Sequence, residues 1–318
     1  MLAAKNIVIE LLSAVIWGTA IGLLMAITAN SFVYLVVIAT EYRTSFTLLE
    51  FQFQGQIYSL SSILSLLTAA VIISVIRKCL DIKNWEGIAD SIYVAHRENP
   101  EIDTRKGLGS TFASLVVISG GGSVGQYGPL VHFGSTIGLF IKNFFKLKMS
   151  PDIFIGCGVA AAIAAGFNAP LAGILFAHEA ILRHFSLRAI APISIASFSA
   201  SAIGEYFFGN SPALFELSQQ VPPLNEILPI LILLGPAFAI ITVCFMITLR
   251  AANNFAALNE RHKTFLPFIA ALICGSVGVF LPEILGLGIG AINDLIAGNI
   301  SLTKVSMLLM AKISMTAL

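Results

Sequence analysis

The stretch "SGGGSVGQYGP" (Ser119 to Pro129) sets five glycines and a proline between the apolar segments "FASLVVI" and "LVHFGSTIGLFI". None of its side chains is charged, so its chemistry has to come from main-chain amides. A helix that begins inside such a segment aims unpaired N–H groups and the positive end of its dipole at whatever lies in front, and an anion is the natural ligand. Gly125 and Gly128 let backbone approach an ion closely. Pro129 suits a first helical turn, where its missing N–H would have had no partner. The expected anion contacts are Gly125, Gln126, Tyr127, Gly128 and Pro129, with a helix opening near Gly128 or Pro129. Without a charged side chain such a site does not hold an ion too tightly to release it. Glycine-mediated helix packing is the competing reading of the same spacing.

Other reactive residue types offer less. "HEAILRH" (His178 to His184) places Leu182 where a zinc-binding H-E-x-x-H helix needs its second histidine, so no metal site is expected. His132 follows the glycine stretch, where a hydrogen-bonded structural histidine competes with a proton carrier. Cys79, Cys157, Cys244 and Cys274 lie far apart, largely inside apolar runs, and read as small hydrophobes. A net charge of +1 without a long basic tract gives no reason to expect a nucleic acid partner, and neither an enzyme site nor a cofactor motif is visible.

The elements that must position these residues are membrane helices. Of the 318 residues, 57% are hydrophobic and 11% charged, and the mean hydropathy is +0.90, so most of the chain cannot face water. Apolar runs cover roughly 11–39, 60–76, 107–141, 152–182, 189–208, 227–249, 265–287 and 302–318, against about 20 residues per span. No cleavable leader is expected, because the first run continues from Leu11 without an A-x-A-like site. Lysine and arginine mark cytoplasmic loops. They gather at Lys5, at Arg77, Lys78, Lys83, Arg97, Arg105 and Lys106, and at Lys142, Lys146 and Lys148. On that basis residues 107–141 leave and regain one side in fewer than the roughly 40 residues two full spans need, which requires two partial helices meeting at the glycine stretch. Residues 152–182 repeat the arrangement around "AAGFNAPLAG" (Ala164 to Gly173), so both 119–129 and 164–170 are expected to be non-helical.

A weak internal repeat is also present. "EGIADSI" (Glu86 to Ile92) and "LGIGAINDL" (Leu287 to Leu295) place their Gly-Ile pairs, starting at Gly87 and Gly288, 201 positions apart. In that register a second glycine-rich break would begin just after Leu318. The sequence is therefore expected to be a truncated chain, or a domain cut, of a protein with two related halves: a first repeat over about 1–208 and a partial second over about 209–318.

At "GQYGPLVHFGSTIG" (Gly125 to Gly138) and "AAGFNAPLAGILFAHEA" (Ala164 to Ala180) the chain resembles the ClC family of chloride channels and proton-coupled chloride exchangers. The resemblance implies an all-α polytopic membrane protein, an inverted-repeat bundle with re-entrant broken helices, here with its second half incomplete. It also implies a homodimer in which each subunit has its own pore. The family's gating glutamate falls at Tyr127. Its chloride-coordinating serine motif aligns with Trp85-Glu86-Gly87-Ile88-Ala89, which adds Gly87 and Ile88 to the expected anion contacts and puts Glu86 at the serine position. A carboxylate there is unfavourable beside an anion unless it is protonated or turned away. The exchangers' inner proton-transfer glutamate falls at Ala180, next to Glu179.

The resulting expectation is an integral, multi-pass protein of the plasma membrane, in contact with lipid, that passes chloride or a similar small anion. With Tyr127 and Ala180 where carboxylates are expected, a passive channel gated at Tyr127 is the leading mechanism. Proton-coupled exchange is the alternative, with Glu86, His132 and Glu179 as candidates for a proton path. A non-conducting scaffold or sensor is the alternative of another class.

Overall fold

The computed structural model describes residues 2–46, 50–53, 56–97, 100–209, 223–259 and 264–318. Residues 47–49, 54–55, 98–99, 210–222 and 260–263 lie outside the described residues.

Twelve α-helices are described: α1 (Leu2–Ser45), α2 (Ser61–Cys79), α3 (Ile88–Ala95), α4 (Thr104–Ser119), α5 (Tyr127–Phe144), α6 (Pro151–Phe167), α7 (Pro170–Phe176), α8 (Leu187–Phe208), α9 (Leu224–Leu258), α10 (Leu266–Phe280), α11 (Ile289–Ile296) and α12 (Leu302–Ala317). A π turn, Ala177–Leu182, continues α7, and a 3-10 turn, Pro282–Ile284, follows α10. Among the described residues, four helices are long and apolar enough to cross a membrane: α1 from Leu12, α2, α8 and α9 from Asn225. The α-helical fold class is as expected, apart from one short antiparallel hairpin, β1 (Glu50–Phe53) with β2 (Gln56–Ser59), in what reads as an outer loop.

Two compact units are present. The first comprises Met1–Ala39, Ile72–Val116 and Gly125–Pro212. Its centre is α6, buried continuously from Ile153 to Ala165 and packed against α5 and α8. The approach is close because glycine meets backbone: a Cβ on Gly134 would collide with the Gly158 carbonyl, and one on Gly138 with that of Phe154. Small residues permit such crossings where surrounding lipid is as apolar as the interface itself. Gly22 of α1 meets the Ala196 carbonyl of α8 in the same way, 2.6 Å from an ideal Cβ.

The second unit comprises Thr40–Val71, Val117–Val124 and Ala213–Leu318. Leu66, Ala70, Ala271, Cys274, Ile284 and Leu285 form its buried cluster. The Lys312 ammonium donates to the carbonyls of Ile284 (2.9 Å) and Gly286 (2.6 Å), meeting acceptors freed where the 3-10 turn ends.

Both expected breaks occur, with shifted edges. Residues 120–126 separate α4 from α5, so α5 opens at Tyr127, one residue earlier than expected, and residues 127–129 are helical. The second break is narrower than 164–170. Residues 164–167 continue α6, and only Asn168 and Ala169 are non-helical. The unbroken buried alanine run carries the helix to its end. Asn168 stops it in the left-handed region (φ 50°), its side chain accepting from Ser201 Oγ at 2.6 Å, and Pro170 opens α7 at the first helical position. α3 and α11 each span eight residues, and both of their ends are separated by the 201 positions of the sequence repeat.

Candidate functional site

Within the first unit the chain brings the starts of α3 and α5 together. An ideal Cβ on Gly128 would lie 3.6 Å from Ile88 Cδ1, in ordinary contact, and one on Gly125 would meet nothing within 4 Å. The glycines of one sequence stretch therefore serve different purposes: Gly134 and Gly138 are packing glycines, Gly128 stands in ordinary contact with Ile88, and Gly125 borders open space. No backbone acceptor among the described residues meets the amides of Gly125, Gln126, Tyr127 or Gly128. Helix geometry leaves the first of them without intrahelical partners. The Gln126 side chain is 2% exposed, and its Oε1 is buried without a hydrogen-bond partner.

The α3 start is more occupied than the sequence suggests. Gly87 is extended, and its amide donates to Asp90 Oδ2 at 2.8 Å, so Asp90 holds a donor expected to face an anion. Asp90 and Ser91 amides turn back to the Gly87 carbonyl, and the Ile88 amide is left without a backbone acceptor among the described residues.

Tyr127, the expected gate, is engaged. Its hydroxyl donates to the Gly166 carbonyl at 3.1 Å, and its ring stacks on Phe167 with centroids 3.6 Å apart. Gly166 is glycine because the ring covers it: an added Cβ would lie 2.7 Å from Tyr127 Cε1. The ring thus ties the start of α5 to the end of α6, beside the second break.

Glu86 and His132 also converge. His132 is 1% exposed; Ser91 Oγ meets its Nδ1 at 2.9 Å, and its Nε2 lies 3.6 Å from Glu86 Oε2. Lys106 Nζ approaches the other carboxylate oxygen at 3.9 Å, and the Glu86 amide donates to Ser110 Oγ at 2.9 Å. Glu86 lies in the connection ahead of α3, outside the spanning helices. Burial holds its carboxyl above the ordinary glutamate range; Lys106 opposes that rise, and Asp90 and Asp103 add to it.

Glu179 is exposed on the π turn, with Ala180 half-buried beside it. A π turn accommodates one residue more than an α turn. Sequence reasoning missed the Asp90 cap, the Tyr127–Gly166 bond and the Glu86–His132 approach. "GIAD" did carry a signal for the first, a carboxylate three residues after a helix-preceding glycine.

Broken helices packed through glycine, with several apolar spans, define a multi-pass α-helical membrane protein. Residues 68–318 match the voltage gated chloride channel family, and the chain belongs to that family. A relative named H(+)/Cl(-) exchange transporter ClcA from Vibrio campbellii is 29% identical over 216 residues, which is 65% of this chain and 46% of the relative. One of the same name from Yersinia pestis is 31% identical over 222 residues, 67% of this chain and 44% of the relative. The chain thus spans less than half the length of these curated relatives. The fold is similar to that of a CLC-type fluoride/proton antiporter (TM-score 0.79, 21% identity, covering 97% of this chain and 76% of the other). It is also similar to that of a slow cyanobacterial Cl-/H+ antiporter (TM-score 0.78, 18% identity, covering 96% and 72%).

Proposed function

We propose that this chain is the membrane part, or a portion of it, of a transporter for chloride or a similar small anion, and that the transport is proton-coupled exchange. The observation that carries the anion reading is the meeting of the α3 and α5 starts at Ile88 and Gly128, with open-facing Gly125 and amides that no backbone acceptor meets among the described residues. Such amides favour an anion without a fixed countercharge. Gly125, Gln126, Tyr127 and Gly128 supply amide donors, Ile88 supplies one from α3, and Pro129 only shapes the turn. Chloride is cargo here, and the reading needs no cofactor. The names of the relatives support coupling over the passive channel that the sequence favoured.

The passive reading keeps one supporting observation: a neutral phenol, already donating to Gly166, stands where coupling would call for a titratable group. The experiment that separates the readings is proton movement in proteoliposomes under a chloride gradient at clamped potential. Uphill proton movement supports exchange, anion flux without it supports the channel, and the absence of both supports a non-conducting scaffold. Homodimerisation, lipid contact and residence in the plasma membrane belong to the same proposal.

A further inference from the structure

The least explained polar group in the first unit is His132 Nε2. It is buried, no group meets it at full hydrogen-bond geometry, and it faces a carboxylate oxygen 3.6 Å away, with the Gly87 backbone also standing against the imidazole. An unpaired imidazole nitrogen in such a place is costly unless a proton can be shared across the gap. The surroundings can hold that proton in two ways. If Ser91 Oγ accepts from Nδ1–H, Nε2 offers a lone pair to a protonated Glu86. If Ser91 donates to Nδ1, Nε2 carries the hydrogen and points it at the Glu86 carboxylate.

We propose that Glu86 and His132 form a proton-binding pair at the start of α3, and that this pair is the proton carrier that couples to anion movement. The inference rests on the exchange reading above. The proton enters from water at Glu86, whose side chain is 20% exposed, and is shared with the enclosed imidazole. Binding one proton converts a carboxylate and a neutral imidazole into either a carboxylic acid with that imidazole or a carboxylate with an imidazolium, and in both cases the pair gains one positive charge. Glu86 immediately precedes Gly87 and Ile88, so its negative charge stands beside the amides offered to the anion. The added proton removes that repulsion, so anion occupancy at the neighbouring amides depends on the protonation of the pair.

The charged groups around the pair are accounted for. Asp90 on α3 accepts from the Gly87 amide, and its negative charge also acts on both Glu86 and His132; Lys106 on α4 lies between Glu86 and Asp103, 3.9 and 3.8 Å from each. The packed face of α6 brings the Gly158 carbonyl against Gly134 of α5. The π turn next to α3 carries Glu179, which is exposed, and His178, whose Nδ1 meets the His184 carbonyl. Raised protonation of Glu86 by burial agrees with this assignment.

The test compares the ratio of protons to chloride moved by the unmodified protein, Glu86→Gln and His132→Asn in proteoliposomes under a chloride gradient. The expected result is a ratio lowered at least about tenfold in each variant, and no lower in the double variant, because the two act as a unit. A single variant that keeps the unmodified ratio overturns the proposal. Should the unmodified protein move no protons, the exchange reading fails and the carrier role with it. Infrared titration of the Glu86 carboxyl band then decides the remaining claim. A midpoint that shifts in His132→Asn supports the proton-binding pair, and one that stays in place overturns it.

Discussion

The Tyr127 ring is held by two contacts that can be removed one at a time. Its hydroxyl bond to the Gly166 carbonyl contributes about 0.5–1.5 kcal/mol net, and the stack on Phe167 about 0.5–1.5 kcal/mol beyond its buried area. Tyr127→Phe keeps the stack and loses the bond, so a docked ring should swing away roughly fivefold more often, taking about 1 kcal/mol. Tyr127→Ala removes the ring with both contacts, about 1–3 kcal/mol together, and leaves no docked state at all. If the docked ring closes the space in front of Gly125 and Gly128, chloride efflux from proteoliposomes should rise in the order unmodified, Phe, Ala. Because the phenol stays neutral well below its reference pKa of about 10, the rank order should not change between about pH 5 and 8. Equal rates in all three proteins would refute the gate and leave Tyr127 as a structural tie between α5 and α6. A slower Ala variant with an unchanged Phe variant would do the same, since it would trace the effect to lost packing.

Three further outcomes follow from other contacts. Gly158→Ala forces a Cβ into the Gly134 carbonyl and should cost about 1–3 kcal/mol; Gly125→Ala, facing open space, should leave stability within about 0.5 kcal/mol, and thermal unfolding in detergent compares the two. Burial raises the folded pKa of Glu86 above the ordinary glutamate range, so the folded state holds the proton more tightly than the unfolded state. Stability from this residue is therefore present at low pH and falls as pH rises through the raised value; the unfolding midpoint of the unmodified protein, relative to Glu86→Gln, should fall over that window, and a rise would contradict the assignment. Lys312→Met leaves the Ile284 and Gly286 carbonyls without their donor, at about 1–3 kcal/mol, which faster amide exchange over 281–289 should report.

What could be read from the sequence was what the backbone dictates locally. The breaks are visible because glycine, asparagine and proline restrict or release specific torsions, and α3 and α11 keep the offset of the Gly-Ile repeat. The facing contacts were not legible. In a membrane bundle both lipid and core are apolar, so the periodicity that separates a buried face from an exposed one in water fades. The hydropathy of α6 therefore does not say which glycines of α5 it meets, and nothing in the spacing of Glu86 and His132 joins them. The π turn was hidden too, since one extra residue in a turn leaves composition unchanged.

The contacts found in the structure narrow the set of donors open to the proposed anion site. Asp90 takes the Gly87 amide, Gly166 takes the Tyr127 hydroxyl, and Pro129 has no N–H to give. The donors left are the Ile88 amide and those of Gly125, Gln126, Tyr127 and Gly128. All are main-chain groups at two helix starts, where the partial positive charge is spread over several N–H groups and cannot be neutralised by protonation. Glu86 is the opposite kind of group: a full charge on a side chain, adjustable by one proton, next to the same amides. A fixed attraction beside an adjustable repulsion is sufficient for anion occupancy to depend on a proton, with no titratable group at Tyr127.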